Sequence, residues 1–119
     1  DSRYQWDRAA SGEDVFARVG VSTKGAAATE DYRNEVNTFG WLVEIDPFDP
    51  ASTPMKRTAL GRFAHEGVVF ANAEAGKPVV CYSGDDSRFE YIYTFVSSRA
   101  FEPGVTKGDI LDEGTLYVS

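Results

Sequence analysis

Residues 88–97, RFEYIYTFVS, place Phe89, Tyr91, Tyr93 and Phe95 on one side of an extended chain and Glu90, Ile92 and Thr94 on the other. A helix, with its period of 3.6, scatters such a set around its circumference, whereas a strand lines it up. The same period of two recurs in FGWLVEI (39–45), where Phe39, Trp41, Val43 and Ile45 alternate with other residues. Between these two lie MKRTALGRF (55–63), GVVFANA (67–73) and VVCYS (79–83), and TLYVS (115–119) follows. Turn residues separate the runs. DPFDPASTP (46–54) holds three prolines, which cannot donate to a ladder and hold the preceding residue out of the helical region. EAGKP (74–78) reads as the turn of a hairpin joining 67–73 to 79–83. Five or six short strands with no strong helix predict an all-β fold. Residues 1–36 show neither period and read as an irregular approach segment, with short helical turns near Glu13–Arg18 and Thr29–Asn34. The expected division is therefore 1–36 followed by a strand-rich region at 37–119.

Charge and rare residues narrow the functions open to such a chain. Twelve basic against nineteen acidic residues leave a net charge of −7. That balance argues against a nucleic-acid partner and against an anionic membrane surface. No apolar run approaches the length of a membrane span. There is one cysteine, Cys81, which excludes an internal disulfide and a multi-cysteine zinc site within the chain. Its setting in VVCY predicts a buried thiol. The single histidine, His65, excludes histidine-pair chemistry.

Three short stretches carry candidate chemistry. HEG (65–67) sets Glu66 at the mouth of a strand, either as a solvated loop carboxylate or as a carboxylate aimed into a cleft, with Gly67 allowing close approach. GDD (84–86) sets Asp85 and Asp86 side by side, where they cap a turn or share a cation such as calcium that takes oxygen ligands. Arg88 follows, able to clamp a phosphate or to pair with Asp86 or Glu90. Local chemistry alone favours the turn and solvent readings. DEGT (112–115), including Glu113, has the same form of acids before a strand and reads mainly as a turn. The aromatic stripe 89/91/93/95 reads as core rather than as a base-stacking platform. No P-loop, GxSxG, HExxH or GxGxxG occurs.

The stretches NTFGWLVEIDPFDPASTPMKRTALGRFAHEG, YSGDDSRFEYIYTFVS and ILDEGTLYVS together resemble the PhoX family of secreted bacterial alkaline phosphatases, from Asn37 to Ser119. The resemblance implies a six-bladed β-propeller of which this chain covers about one to two blades, ending in mid-strand. It implies a phosphomonoesterase exported by the twin-arginine route to the periplasm or beyond, with calcium and iron as cofactors. It assigns metal-ligating roles to Glu66 and Asp85, and leaves catalytic residues unassigned. Arg88 and Glu44 become candidates for supporting the metal ligands or for a structural role, with Asp86, Asn37 and Glu113 as further candidates and Arg88, Asp86 and Asn37 able to touch substrate. The implied partners are a small phosphate-ester substrate and the remaining blades of the same protein. The family's thiol-and-carboxylate motif is absent, and Cys81 does not stand in its context, so the chain alone is expected to be inactive. Two other readings remain: a calcium-dependent propeller hydrolase acting on other phosphate esters, and a non-catalytic binding module.

Overall fold

A computed structural model of the chain describes residues 20–119. The expected helical turn at Glu13–Arg18 lies outside the described residues. The chain divides into two compact units, with the boundary between Phe39 and Gly40.

In the first unit, residues 20–39 contain no strand and only a 3-10 turn at Glu35–Thr38, just after the turns expected at Thr29–Asn34. One carboxylate organises the segment before that turn. Asp31 accepts the backbone N–H groups of Lys24 (2.7 Å) and Gly25 (2.8 Å). Arg33 meets both of its oxygens at 2.8 Å and donates onward to the Gly25 carbonyl. The Arg33 hydrogen bond, reinforced by the two amides, holds the Asp31 carboxyl far below the usual carboxylate range.

The second unit is all-β among the described residues, in two antiparallel sheets. The smaller pairs β1 (Val43–Glu44) with β2 (Met55–Lys56) across the proline-rich loop. The larger is a four-stranded meander of β3 (His65–Phe70), β4 (Pro78–Asp85), β5 (Ile92–Ala100) and β6 (Gly114–Val118), each strand paired with the next. The β3–β4 hairpin is the one expected from sequence.

The alternating run at 39–45 shortens to two strand residues, because Gly40, at φ +80°, turns the chain and accepts the Phe63 N–H instead of extending the ladder. The run at 55–63 stops after Lys56, where the chain turns into the 3-10 segment Thr58–Leu60. The aromatic stripe requires a correction. Strand β5 starts at Ile92, so Phe89 and Tyr91 fall in the connection before it. Phe89, at φ +70°, is 93% exposed. Tyr93 and Phe95 alone of the stripe lie on the inner face of the meander.

Period-two burial places Val79, Cys81 and Ser83 of β4 on that face, beside Phe95 and Ser97 of β5. The register fixes the pairs Cys81 with Phe95 and Ser83 with Tyr93. Phe95 is 1% exposed and packs with Cys81 and Leu60, with Leu42, Val68, Leu111 and Leu116 closing around them. Cys81 is buried as expected, and burial pushes its thiol above the usual range. The outer face is different: Val69, Tyr82, Ile92 and Tyr117 are all exposed there.

Candidate functional site: the bulged end of β3 and the end of β4

Strands β3 and β4 pair regularly from Phe70–Cys81 back to Gly67–Gly84, and then the register slips. His65 pairs with Asp85, so Glu66 is an extra residue with no partner opposite it. A bulge of this kind re-aims a side chain and increases local twist. It leaves Glu66 next in the chain to His65, the strand partner of Asp85, so the two acids belong to adjoining strand ends although they lie far apart in the sequence. Glu66 is exposed and Asp85 half-buried.

The turn after β4 is held by its own acids. Asp85 accepts the Ser87 N–H through Oδ1 at 2.9 Å, an Asx-type contact, and its backbone N–H reaches the Tyr91 carbonyl at 3.2 Å. The Asp86 N–H donates to the Ala64 carbonyl at 2.9 Å, tying this turn to the chain entering β3. Arg88 is exposed in the same connection. Asn37 belongs to the 3-10 turn of the first unit.

The two remaining acids separate from this cluster. Glu44 accepts from Arg57 Nε at 2.8 Å, and Asp112 accepts from Arg57 Nη1 through both oxygens, at 2.8 and 2.9 Å. Arg57 is 5% exposed, and those two carboxylates hold its guanidinium above the usual range. Of the two roles expected for Glu44, the structure shows the structural one, on Arg57. Glu113 is exposed, and its backbone carbonyl accepts the Ser98 N–H.

Sequence reasoning missed the groups that surround the bulge. His65 Nδ1 lies 2.7 Å from Ser83 Oγ, and Ser83 Oγ–H donates to the Gly67 carbonyl at 2.9 Å. The other ring nitrogen, Nε2, lies 3.2 Å from the Gly61 carbonyl oxygen. The Phe63 ring sits between His65 (centroids 3.7 Å apart) and Tyr93 (4.3 Å, stacked). The signal available in sequence was the polar Ser83 at an inward position of the VVCYS strand, where a hydroxyl needs a partner.

The donor set suits a hard cation. Two carboxylates from neighbouring strand ends are oxygen ligands of the kind calcium takes. They do not complete a site: among the described residues no group of three or more His, Cys, Asp or Glu is placed to hold an ion. Cys81 lies on the inner face of the meander, 2% exposed, with its thiol pushed up by burial. Gly67 gives no close approach within the described residues, since a Cβ there would meet nothing within 4 Å.

A family model for "Alkaline phosphatase PhoX" matches residues 4–119. A comparison with curated proteins found no match. Among solved structures, the chain is similar to Pseudomonas fluorescens PhoX in complex with vanadate, described as a transition state analogue, at 53% sequence identity and a TM-score of 0.65. The match covers 76% of this chain and 16% of that protein, so this chain spans a small part of its relative's length. A match over nearly the whole chain, joined to a like-folded relative of this identity, shows that the chain belongs to the PhoX alkaline phosphatase family.

Proposed function

We propose that these residues are one sector of a metal-dependent phosphatase that hydrolyses small phosphate monoesters, and that Glu66 and Asp85 are its contribution to the metal centre. The observation that carries the proposal is the bulge that leaves Glu66 and Asp85 on adjoining strand ends. A structural relative bound to vanadate supports phosphoryl chemistry, since such analogues resemble the transition state of phosphate transfer. The four-stranded meander supports a propeller reading, in which it forms one blade of a six-bladed ring. Its exposed outer residues Val69 (68%), Ile92 (57%) and Tyr117 (52%) are the surface a neighbouring blade would cover.

Bound calcium and iron would neutralise phosphoryl oxygens and activate an oxygen nucleophile. The chain's own part is positioning. Glu66 presents a carboxylate from the bulged start of β3. Asp85 presents a second from the end of β4, its Oδ1 steadied by the Ser87 amide. Arg88, close after it, supplies a cation suited to a phosphate oxygen. Asp86 shapes the turn through its backbone bond to Ala64. The remaining ligands come from other parts of the longer protein, which is secreted or periplasmic on this reading.

The test is made in the full-length protein. Glu66→Gln and Asp85→Asn should each lower metal-dependent hydrolysis of a chromogenic phosphate monoester by at least ~100-fold. Wild-type rates in both variants would overturn the assignment. A substrate panel of mono-, di- and triesters then reads the ester class.

A further inference from the structure

A bulged residue gains no ladder partner, so its direction depends on what restrains the residues on either side of it. Here a single hydroxyl restrains both sides. Ser83 Oγ bonds the side chain of His65, immediately before Glu66, at 2.7 Å, and the carbonyl of Gly67, immediately after it, at 2.9 Å. Ser83 Oγ–H donates to the Gly67 carbonyl, and the same oxygen stands within hydrogen-bond distance of the His65 ring, so one atom ties the residues on both sides of Glu66. The ring is pinned on its other edge by the Gly61 carbonyl oxygen and over its face by Phe63, which itself stacks on Tyr93 of β5. Ser83 is 6% exposed, so water competes weakly for these bonds.

We infer that His65 and Ser83 are positioning residues for Glu66, a brace that holds the bulge in one geometry and thereby sets the carboxylate for cation binding. Neither side chain needs to touch the metal or the substrate. The inference rests on the metal-ligand reading of Glu66 and adds to it the means of orientation. Groups that orient a ligand in this way typically change metal affinity 10–100-fold when removed.

The experiment is calcium titration of the metal-depleted full-length protein by isothermal titration calorimetry, with the thermal midpoint of the metal-free protein measured alongside. Ser83→Ala should weaken calcium binding by at least ~10-fold, and Ser83→Thr, which keeps the hydroxyl, should stay within ~3-fold of wild type. His65→Phe keeps a ring against Phe63 but removes the Nδ1 contact with Ser83, and should weaken binding like Ser83→Ala; His65→Asn, whose side-chain amide can bond Ser83 Oγ from near the Nδ1 position, should recover most of it. The two His65 variants decide the matter if Ser83→Ala does not fold. Glu66→Gln is titrated in parallel. Loss in Glu66→Gln with unchanged affinity in Ser83→Ala or His65→Phe overturns the brace and leaves the ligand standing. Unchanged affinity in Glu66→Gln overturns both. Equal loss in Ser83→Thr and Ser83→Ala also overturns the brace, because it assigns the effect to packing rather than to the hydroxyl.

Discussion

Arg57 and Asp112, 55 positions apart in the chain, are joined by a two-pronged ion pair of 2.8 and 2.9 Å. The guanidinium is buried while both of its acidic partners remain about half exposed. Their carboxylates can therefore rehydrate when the arginine is lost, and the cost stays below that of stranding a buried charge. Arg57→Ala is expected to destabilise the protein by about 2 kcal/mol, and Arg57→Lys by about 1 kcal/mol, since an ammonium cannot reproduce the fork. Thermal unfolding of the full-length variants reads the order. Equal midpoints for Lys and Ala would show that the fork geometry contributes nothing.

Glycines at three positions should respond differently to alanine. A Cβ at Gly114 would run into the Phe95 ring and the Val96 carbonyl. At Gly61, φ is +90° and a Cβ would stand 2.7 Å from Leu116 Cδ2 and 2.8 Å from the Phe63 ring. Gly67 has neither obstacle. Gly114→Ala and Gly61→Ala are each expected to cost about 2–3 kcal/mol, and Gly67→Ala less than about 1 kcal/mol. Chemical denaturation of the three variants ranks them; a large loss at Gly67 would reveal a neighbour outside the described residues.

Cys81 should be chemically silent in the folded protein. Burial raises its pKa, so the neutral thiol is favoured by folding. The stability it contributes is complete below the unfolded pKa of about 8.5 and is lost as pH rises through the folded value. Alkylation mapped at Cys81 by mass spectrometry should run at least ~100-fold slower in native than in denatured protein at pH 8. Above about pH 9, Cys81→Ala should lose stability less steeply than wild type. Rapid native labelling would contradict the burial.

Asp31 has the opposite sign. Its pKa is depressed, first by Arg33 and then by the Gly25 and Lys24 amides. Its contribution is present above the unfolded value of about 3.9 and is lost only as pH falls through the much lower folded value. The Lys24 and Gly25 amides should stay protected from hydrogen exchange at about pH 3.5 in wild type. Asp31→Asn should speed their exchange at least ~10-fold even at neutral pH. Unchanged exchange would mean that the carboxylate does not organise this turn.

The all-β class and the β3–β4 hairpin were legible in the sequence, because alternation and turn residues act over a few positions and the pleat translates them directly into faces. The burial of Cys81 followed from the same local logic. The family was also legible, in long ordered stretches such as FGWLVEIDPFDP and GDDSRFEYIY. The aromatic stripe misled at Phe89 and Tyr91, since periodicity continues through residues whether or not a partner strand reaches them. Pairing with β4, whose ladder reaches Ile92 opposite Gly84, set where the strand begins. The roles of the acids divided in the same way. Glu44, Glu66, Asp85 and Asp112 are alike in sequence as acids near strand ends. Arg57 took two of them into a structural fork, and a one-residue slip in the β3–β4 register put the other two on adjoining strand ends. Side-chain periodicity is set by neighbours in the chain, but register and long-range ion pairs are set by which strands meet, and that is a property of the folded sheet alone.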